Sequence, residues 1–166
     1  MAVRNLGLTR LPFDEKYGGD GGTIRAYTVA SMELAQHCAV AALYPGTSIQ
    51  VAAALIEHGT TEHLRSVVPR LVAGEAIAAW AFTEPATGSD PRQISTRAVR
   101  DGDGWVLTGT KQFISFADQA EFALIFARTS KTTLGAFLVD TSAPGWSVGS
   151  PRSAVNGWHG GAGSVP

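Results

Sequence analysis

From Ala76 onward the chain runs as short apolar segments joined by turns too brief to hold a helix, and this limits the fold more than any other feature. Residues 94–100 read as a strand. Asp101-Gly102-Asp103-Gly104 then forms a tight turn into Trp105-Val106-Leu107-Thr108, which predicts a hairpin. Two further strands, 121–128 and 134–140, carry Phe122, Leu124, Ile125, Phe126, Phe137, Leu138 and Val139 as β-forming bulk, and only residues 130–133 join them. Parallel neighbours need crossovers of a dozen residues or more, so the spacing predicts an antiparallel sandwich or barrel-like domain.

The first half reads differently. Residues 18–22, Gly-Gly-Asp-Gly-Gly, cannot be regular structure, and Thr23 is placed to cap a helix running towards Leu43, with Pro45 and Gly46 ending it. A second helix covers about 47–58, with Ile49, Val51, Ala52, Leu55 and Ile56 apolar and Gly59 as a left-handed cap. Thr60 begins a third, which buries Leu64, Val67, Val68 and Leu71 and is kinked at Pro69. The fold class is therefore α+β with the two kinds of structure segregated. A partial N-terminal helical domain is expected over 1–75 and a β-domain, itself incomplete, over 76–166.

Charge and composition narrow the partners. Thirteen Lys and Arg against fourteen Asp and Glu leave a net charge of -1, no field that would gather polyanions, so nucleic acid is not an expected partner. Hydrophobic residues at 45% against 16% charged exclude a disordered chain. Cys38 is the single cysteine, so no disulfide forms within the chain and a reducing compartment suits it. Residues 1–13 have no signal-peptide core, and the longest apolar runs, 51–56 and 76–82, fall far short of the ~20 residues that cross a bilayer. A soluble, cytoplasmic protein without membrane insertion is expected.

Common signatures of chemistry fail one after another. Residues 104–111 nearly spell a phosphate-binding loop, but Thr110 and Lys111 are reversed and apolar residues fill the cradle. The glycines of 18–22 lack dinucleotide spacing. His37, His58, His63 and His159 are scattered, so no metal site is expected. Ser89 is not in a nucleophile elbow. What remains is Thr83-Glu84-Pro85-Ala86-Thr87-Gly88-Ser89-Asp90, directly after the apolar run 76–82. It reads either as hydroxyls and backbone N–H groups presented to a ligand or as a capped surface turn.

The order of motifs resembles the acyl-CoA dehydrogenase family of flavoenzymes. Thr-Glu-Pro followed by Gly-Ser-Asp, at 83–90, is its central hallmark, and Gly109-Thr110-Lys111-Gln112-Phe113-Ile114-Ser115 looks like its Gly-x-Lys-x-Trp-Ile-Thr segment. The turn and strand at 101–107, the Pro12 to Gly19 approach, and the stretch from Gly59-Thr60 to Gly74-Glu75 match as well, so the resemblance covers nearly the whole chain. It implies FAD as cofactor. Trp80 and Phe82 would lie near the flavin, and Thr83 would hydrogen-bond its pyrimidine edge. Phe113, standing for Trp, would cover a ring face beside Ile114, and the Ser115 hydroxyl would point at the reactive ring nitrogen. Gly88 and Ser89 would approach the flavin phosphate or an acyl-CoA, with Ser89 as the substrate contact. Phe116 stands for the usual Asn and Thr87 for the usual Ala, and the tail at 155–163 lacks the family's arginine.

The family's reaction is α,β-dehydrogenation of an acyl-CoA thioester, in which a carboxylate removes the α-proton while hydride passes to the flavin. That base belongs to a later helical domain, so no catalytic residue is assigned in this chain, which is expected to be truncated, through a frameshift or an early stop, and inactive alone. Glu84 is expected to be a surface carboxylate serving cofactor architecture. Implied partners are acyl-CoA and electron-transfer flavoprotein, within a homo-oligomer. The competing readings are a noncatalytic remnant or interaction module without flavin, and a related flavin monooxygenase or nitroalkane oxidase.

Overall fold

A computed structural model describes residues 6–149 and the backbone of residues 162–165, and the chain divides after Ala78 into two compact units. The residues 155–161 of the departing tail motif lie outside the described residues.

The first unit contains α1 (Ile24–His37), α2 (Ala39–His58) and the short α3 (Val68–Val72). Thr23 caps α1 as its sequence predicts, its Oγ1 accepting from the Ala26 N–H at 3.2 Å. The helix ends at Cys38, not at Pro45: Cys38 is extended (φ -156, ψ 101), and its carbonyl restarts the ladder by accepting from Ala42. Pro45 sits buried inside α2. It removes one N–H, but α2 also buries Thr47, Ser48, Ile49, Val51, Ala52 and Leu55, and tertiary burial outweighs one lost bond. With Pro45 inside it, α2 reaches 20 residues and is long and apolar enough to cross a membrane, whereas a stop at Pro45 divides the same stretch between two shorter helices. In this unit it packs against α1 and α3.

Gly59 ends α2 in an extended conformation (φ -75), not a left-handed one. Glycine is needed there for a different reason: a Cβ would lie 2.4 Å from the Leu55 carbonyl oxygen. Beyond it the expected kinked helix is a π-turn, His63–Val67, running into α3. Pro69 follows directly within the same helical run, so the kink expected there takes the form of the π-turn just before it; Val67, Val68, Leu71 and Val72 are buried, and Leu64 only partly.

The second unit holds strands β1 (Ala78–Ala81), β2 (Arg97–Asp101), β3 (Gly104–Thr108), β4 (Lys111–Ser115), β5 (Phe122–Arg128), β6 (Leu134–Asp140) and β7 (Ala162–Val165). The β2–β3 hairpin pairs Arg97 with Thr108 through Asp101 with Gly104, as predicted, with Gly102 at φ +56 in its turn. Strands β5 and β6 pair antiparallel along their whole length, from Phe122 opposite Asp140 to Arg128 opposite Leu134. The sheet order β1-β5-β2-β3, with β6 also on β5, is mixed and not purely antiparallel, because β2 meets β5 in parallel at Arg97 and Arg128. The connection between β2 and β5 runs through β3 and β4, which supplies the length a parallel neighbour requires. Strand β4 stands apart and pairs antiparallel with β7, its register shifting between Lys111 and Ile114. Small residues fill the core of this unit: Ala79, Ala81, Ala98, Ala123 and Ala127 are buried with Ile94, Ile114, Leu124 and Ile125.

Candidate functional site

The segment leaving β1 is organised around one carboxylate. Glu84, expected on the surface, is 2% exposed, and so is Lys111 of β4. Lys111 Nζ donates to Glu84 Oε1 at 2.8 Å and to the Phe82 carbonyl at 3.0 Å. The Thr96 N–H (3.0 Å) and hydroxyl also donate to Oε1, while the Ser95 N–H (2.7 Å) and hydroxyl (2.6 Å) donate to Oε2. Burial by itself pushes this carboxyl up; the donors from Lys111, Ser95 and Thr96 outweigh it and hold the pKa at about 2 against an ordinary 4.5. Five donors thus replace water, which is why a charge can sit here. They also explain why β2 starts at Arg97 and not at Ile94: the N–H groups of Ser95 and Thr96 are spent on Glu84.

Lys111 and the pairing it makes are what sequence reasoning missed. The usable signal was Gly109, two residues earlier. A Cβ at Gly109 would lie 2.5 Å from Thr96 Oγ1 and 2.7 Å from Thr96 Cα, so glycine lets the Glu84-binding segment close on the start of β4.

The turn that follows is closed by its own backbone. Glu84 N–H donates to the Thr87 carbonyl at 2.8 Å and Thr87 N–H returns to the Glu84 carbonyl at 3.1 Å. The Thr87 hydroxyl, buried, donates to the Asp90 carbonyl at 2.9 Å. Asp90 caps a 3-10 turn at Pro91–Gln93 and pairs with Arg92 Nε at 2.9 Å, and Arg92 holds its carboxyl far below the usual range. The Asp90 end is thus the capped surface turn of the second reading, whereas the Glu84 end is built into the interior, its carboxylate held by protein donors.

The expected site residues fall into linked groups. Trp80 and Phe82 both pack on Phe126, with ring centroids 4.9 Å and 5.1 Å away. Thr83, half-buried, accepts at its carbonyl from the Gln112 N–H at 2.8 Å, so its segment lies directly against β4. Along β4, Ile114 is buried, Ser115 is half-buried, and Phe113 is 59% exposed with φ +59, at the shift in register. Phe116, in place of the expected Asn, is buried with φ +58. Gly88 and Ser89 are exposed at the outer end of the turn. Gly88 has an ordinary backbone, and among the described residues a Cβ there would meet only Thr83 Cγ2 at 3.9 Å, so none of them requires glycine at that position.

The order of helices followed by a small mixed β-domain is matched by known proteins. Residues 79–162 match the family model "Acyl-CoA dehydrogenase, middle domain", and residues 1–75 match "Acyl-CoA dehydrogenase, N-terminal domain". The chain belongs to the acyl-CoA dehydrogenase family. It is 35% identical over 148 residues to the short-chain specific acyl-CoA dehydrogenase of Clostridium acetobutylicum, covering 86% of this chain and 39% of the relative. It is also 35% identical over 152 residues to the caffeyl-CoA reductase-Etf complex subunit CarC of Acetobacterium woodii, covering 89% and 40%. Among solved structures, a glutaryl-CoA dehydrogenase from Mycobacterium smegmatis in complex with FADH2 matches with a TM-score of 0.91 at 29% identity, over 99% of this chain and 42% of that one. The chain thus spans about two fifths of the length of these relatives.

Proposed function

We propose that this chain is the N-terminal and middle-domain portion of an FAD-dependent acyl-CoA dehydrogenase, and that its β unit holds the flavin where the Thr83 segment meets β4. The observation that carries this is the bond from Gln112 N–H to the Thr83 carbonyl, which brings the two motif segments side by side. Thr83 and Ser115 then offer half-buried hydroxyls from adjoining segments, and Phe113 presents an exposed ring. A bulky residue at positive φ is strained by about 1–2 kcal/mol, and such strain collects where a site demands it. Gly88, which no described residue crowds, leaves room for a ligand to approach the backbone, with Ser89 beside it for the acyl-CoA.

When bound, the flavin supplies hydride acceptance. The residues of this chain that would hold it are Thr83 for the pyrimidine edge, Phe113 for a ring face with the buried Ile114 behind it, and Ser115 for the reactive nitrogen, with Trp80 and Phe82 backing the site. Glu84 does not act as the base. Among the described residues it is the buried carboxylate, and all its donors act to keep it an ionised acceptor. The base belongs to the part of the relatives' length that this chain does not span. Electron-transfer flavoprotein as acceptor is supported by the Etf complex in the name of the Acetobacterium relative. Assembly as a homo-oligomer and a cytoplasmic location are part of the same proposal.

Purified chain mixed with FAD and freed of excess tests this. A yellow protein with near-stoichiometric flavin, and little or no dye reduction with acyl-CoA, is the expected outcome. Folded, colourless protein would favour an interaction module, and robust turnover would overturn the assignment of the base.

A further inference from the structure

Burying Glu84 and Lys111 is an expensive way to hold a β-domain together, since two desolvated charges stabilise no better than an apolar pair of equal volume. Their geometry has a more specific consequence. Lys111 Nζ bridges the Phe82 carbonyl and Glu84 Oε1, so it straddles Thr83 from both sides, and the next residue, Gln112, takes the Thr83 carbonyl. Three consecutive residues, 82 to 84, are therefore tied to the first two residues of β4. The same strand carries Phe113 and Ser115 immediately beyond. The other carboxylate oxygen holds Ser95, which anchors the assembly to the approach to β2.

We propose that Glu84 and Lys111 are positioning residues for the flavin site, an ion-pair clamp that fixes the Thr83 hydroxyl relative to Phe113 and Ser115. This rests on the flavin reading above. The pair touches no ligand itself; it sets where the residues on either side of it stand, and Gly109 is the glycine that allows it to close.

The test is a double-mutant cycle on the full chain, read by FAD affinity from flavin fluorescence quenching and by the visible circular dichroism of bound flavin. The clamp is replaced by the neutral, size-matched pair Glu84→Gln with Lys111→Met, in the native background and in Thr83→Val. Far-ultraviolet circular dichroism checks that each variant folds. The clamp replacement is expected to weaken FAD binding about tenfold and alter the visible spectrum when Thr83 is present, and to change affinity less than about threefold when Thr83 is already Val. An equal penalty in both backgrounds, or none in either, overturns the inference while leaving the flavin reading intact. Failure of the unaltered chain to bind FAD overturns the flavin reading and this inference with it. Thr96→Val removes only one hydroxyl donor from Glu84; it should show the same background dependence at about threefold, and it decides the matter if the paired replacement does not fold.

Discussion

Two carboxylates stand six residues apart at the ends of one turn, and they answer to different physics. Glu84 is buried, with its charge neutralised by Lys111 and its lone pairs filled by Ser95 and Thr96. Asp90 lies near the surface and is held by Arg92, itself exposed, and by a backbone cap. Both are pulled below their ordinary pKa, yet the consequences differ, because water can replace Arg92 and cannot replace Lys111. A depressed pKa alone does not say how much a group matters; burial and the number of donors do.

The sharpest break in that comparison is to remove one partner of each pair. Lys111→Ala strands a buried carboxylate and should cost about 3–5 kcal/mol in urea unfolding followed by Trp emission, which reports the β unit because every tryptophan lies at or beyond Trp80. Acid titration sharpens it further. Because the folded pKa of Glu84 is about 2 against 4.5, the unfolded chain binds more protons between those values, so the contribution of Glu84 is full above pH 4.5 and disappears as pH falls towards 2. Urea midpoints measured across that window should fall steeply for the native chain and less steeply for Glu84→Gln. Next in size, Gly109→Ala pushes a methyl group into Thr96 and should cost about 1–3 kcal/mol by the same assay. The smallest effect belongs to Asp90→Ala, which leaves the core and Glu84 untouched and removes a surface cap; it should lower the urea midpoint by less than Gly109→Ala does in the same assay.

Local chemistry was legible where a residue acts on its own neighbours. Thr23 as a cap, the 101–104 turn and the pairing of β5 with β6 all depend on contacts within a few residues or across a short loop. Pro45 reads as a stop because local propensity does not contain the burial that carries α2 through it. Gly59 read as a left-handed cap, whereas its requirement is closeness to the Leu55 carbonyl, which no local pattern encodes. The parallel contact at Arg97 and Arg128 escaped because it joins strands separated by two others. Glu84 was misplaced at the surface for the same reason: its donors come from Ser95, Thr96 and Lys111, eleven to twenty-seven residues away in sequence. The candidate site residues come from a resemblance in motif order, and the structure adds which of them share a strand, a ring cluster or a backbone bond.

Hydrogen exchange of the purified chain with and without FAD probes the central claim most directly. The account predicts slowed exchange at the amides of residues 82–89 and 111–115, with the remainder of the β unit changed little. Unchanged exchange in both segments at saturating FAD, or protection confined to the helical unit, would contradict it.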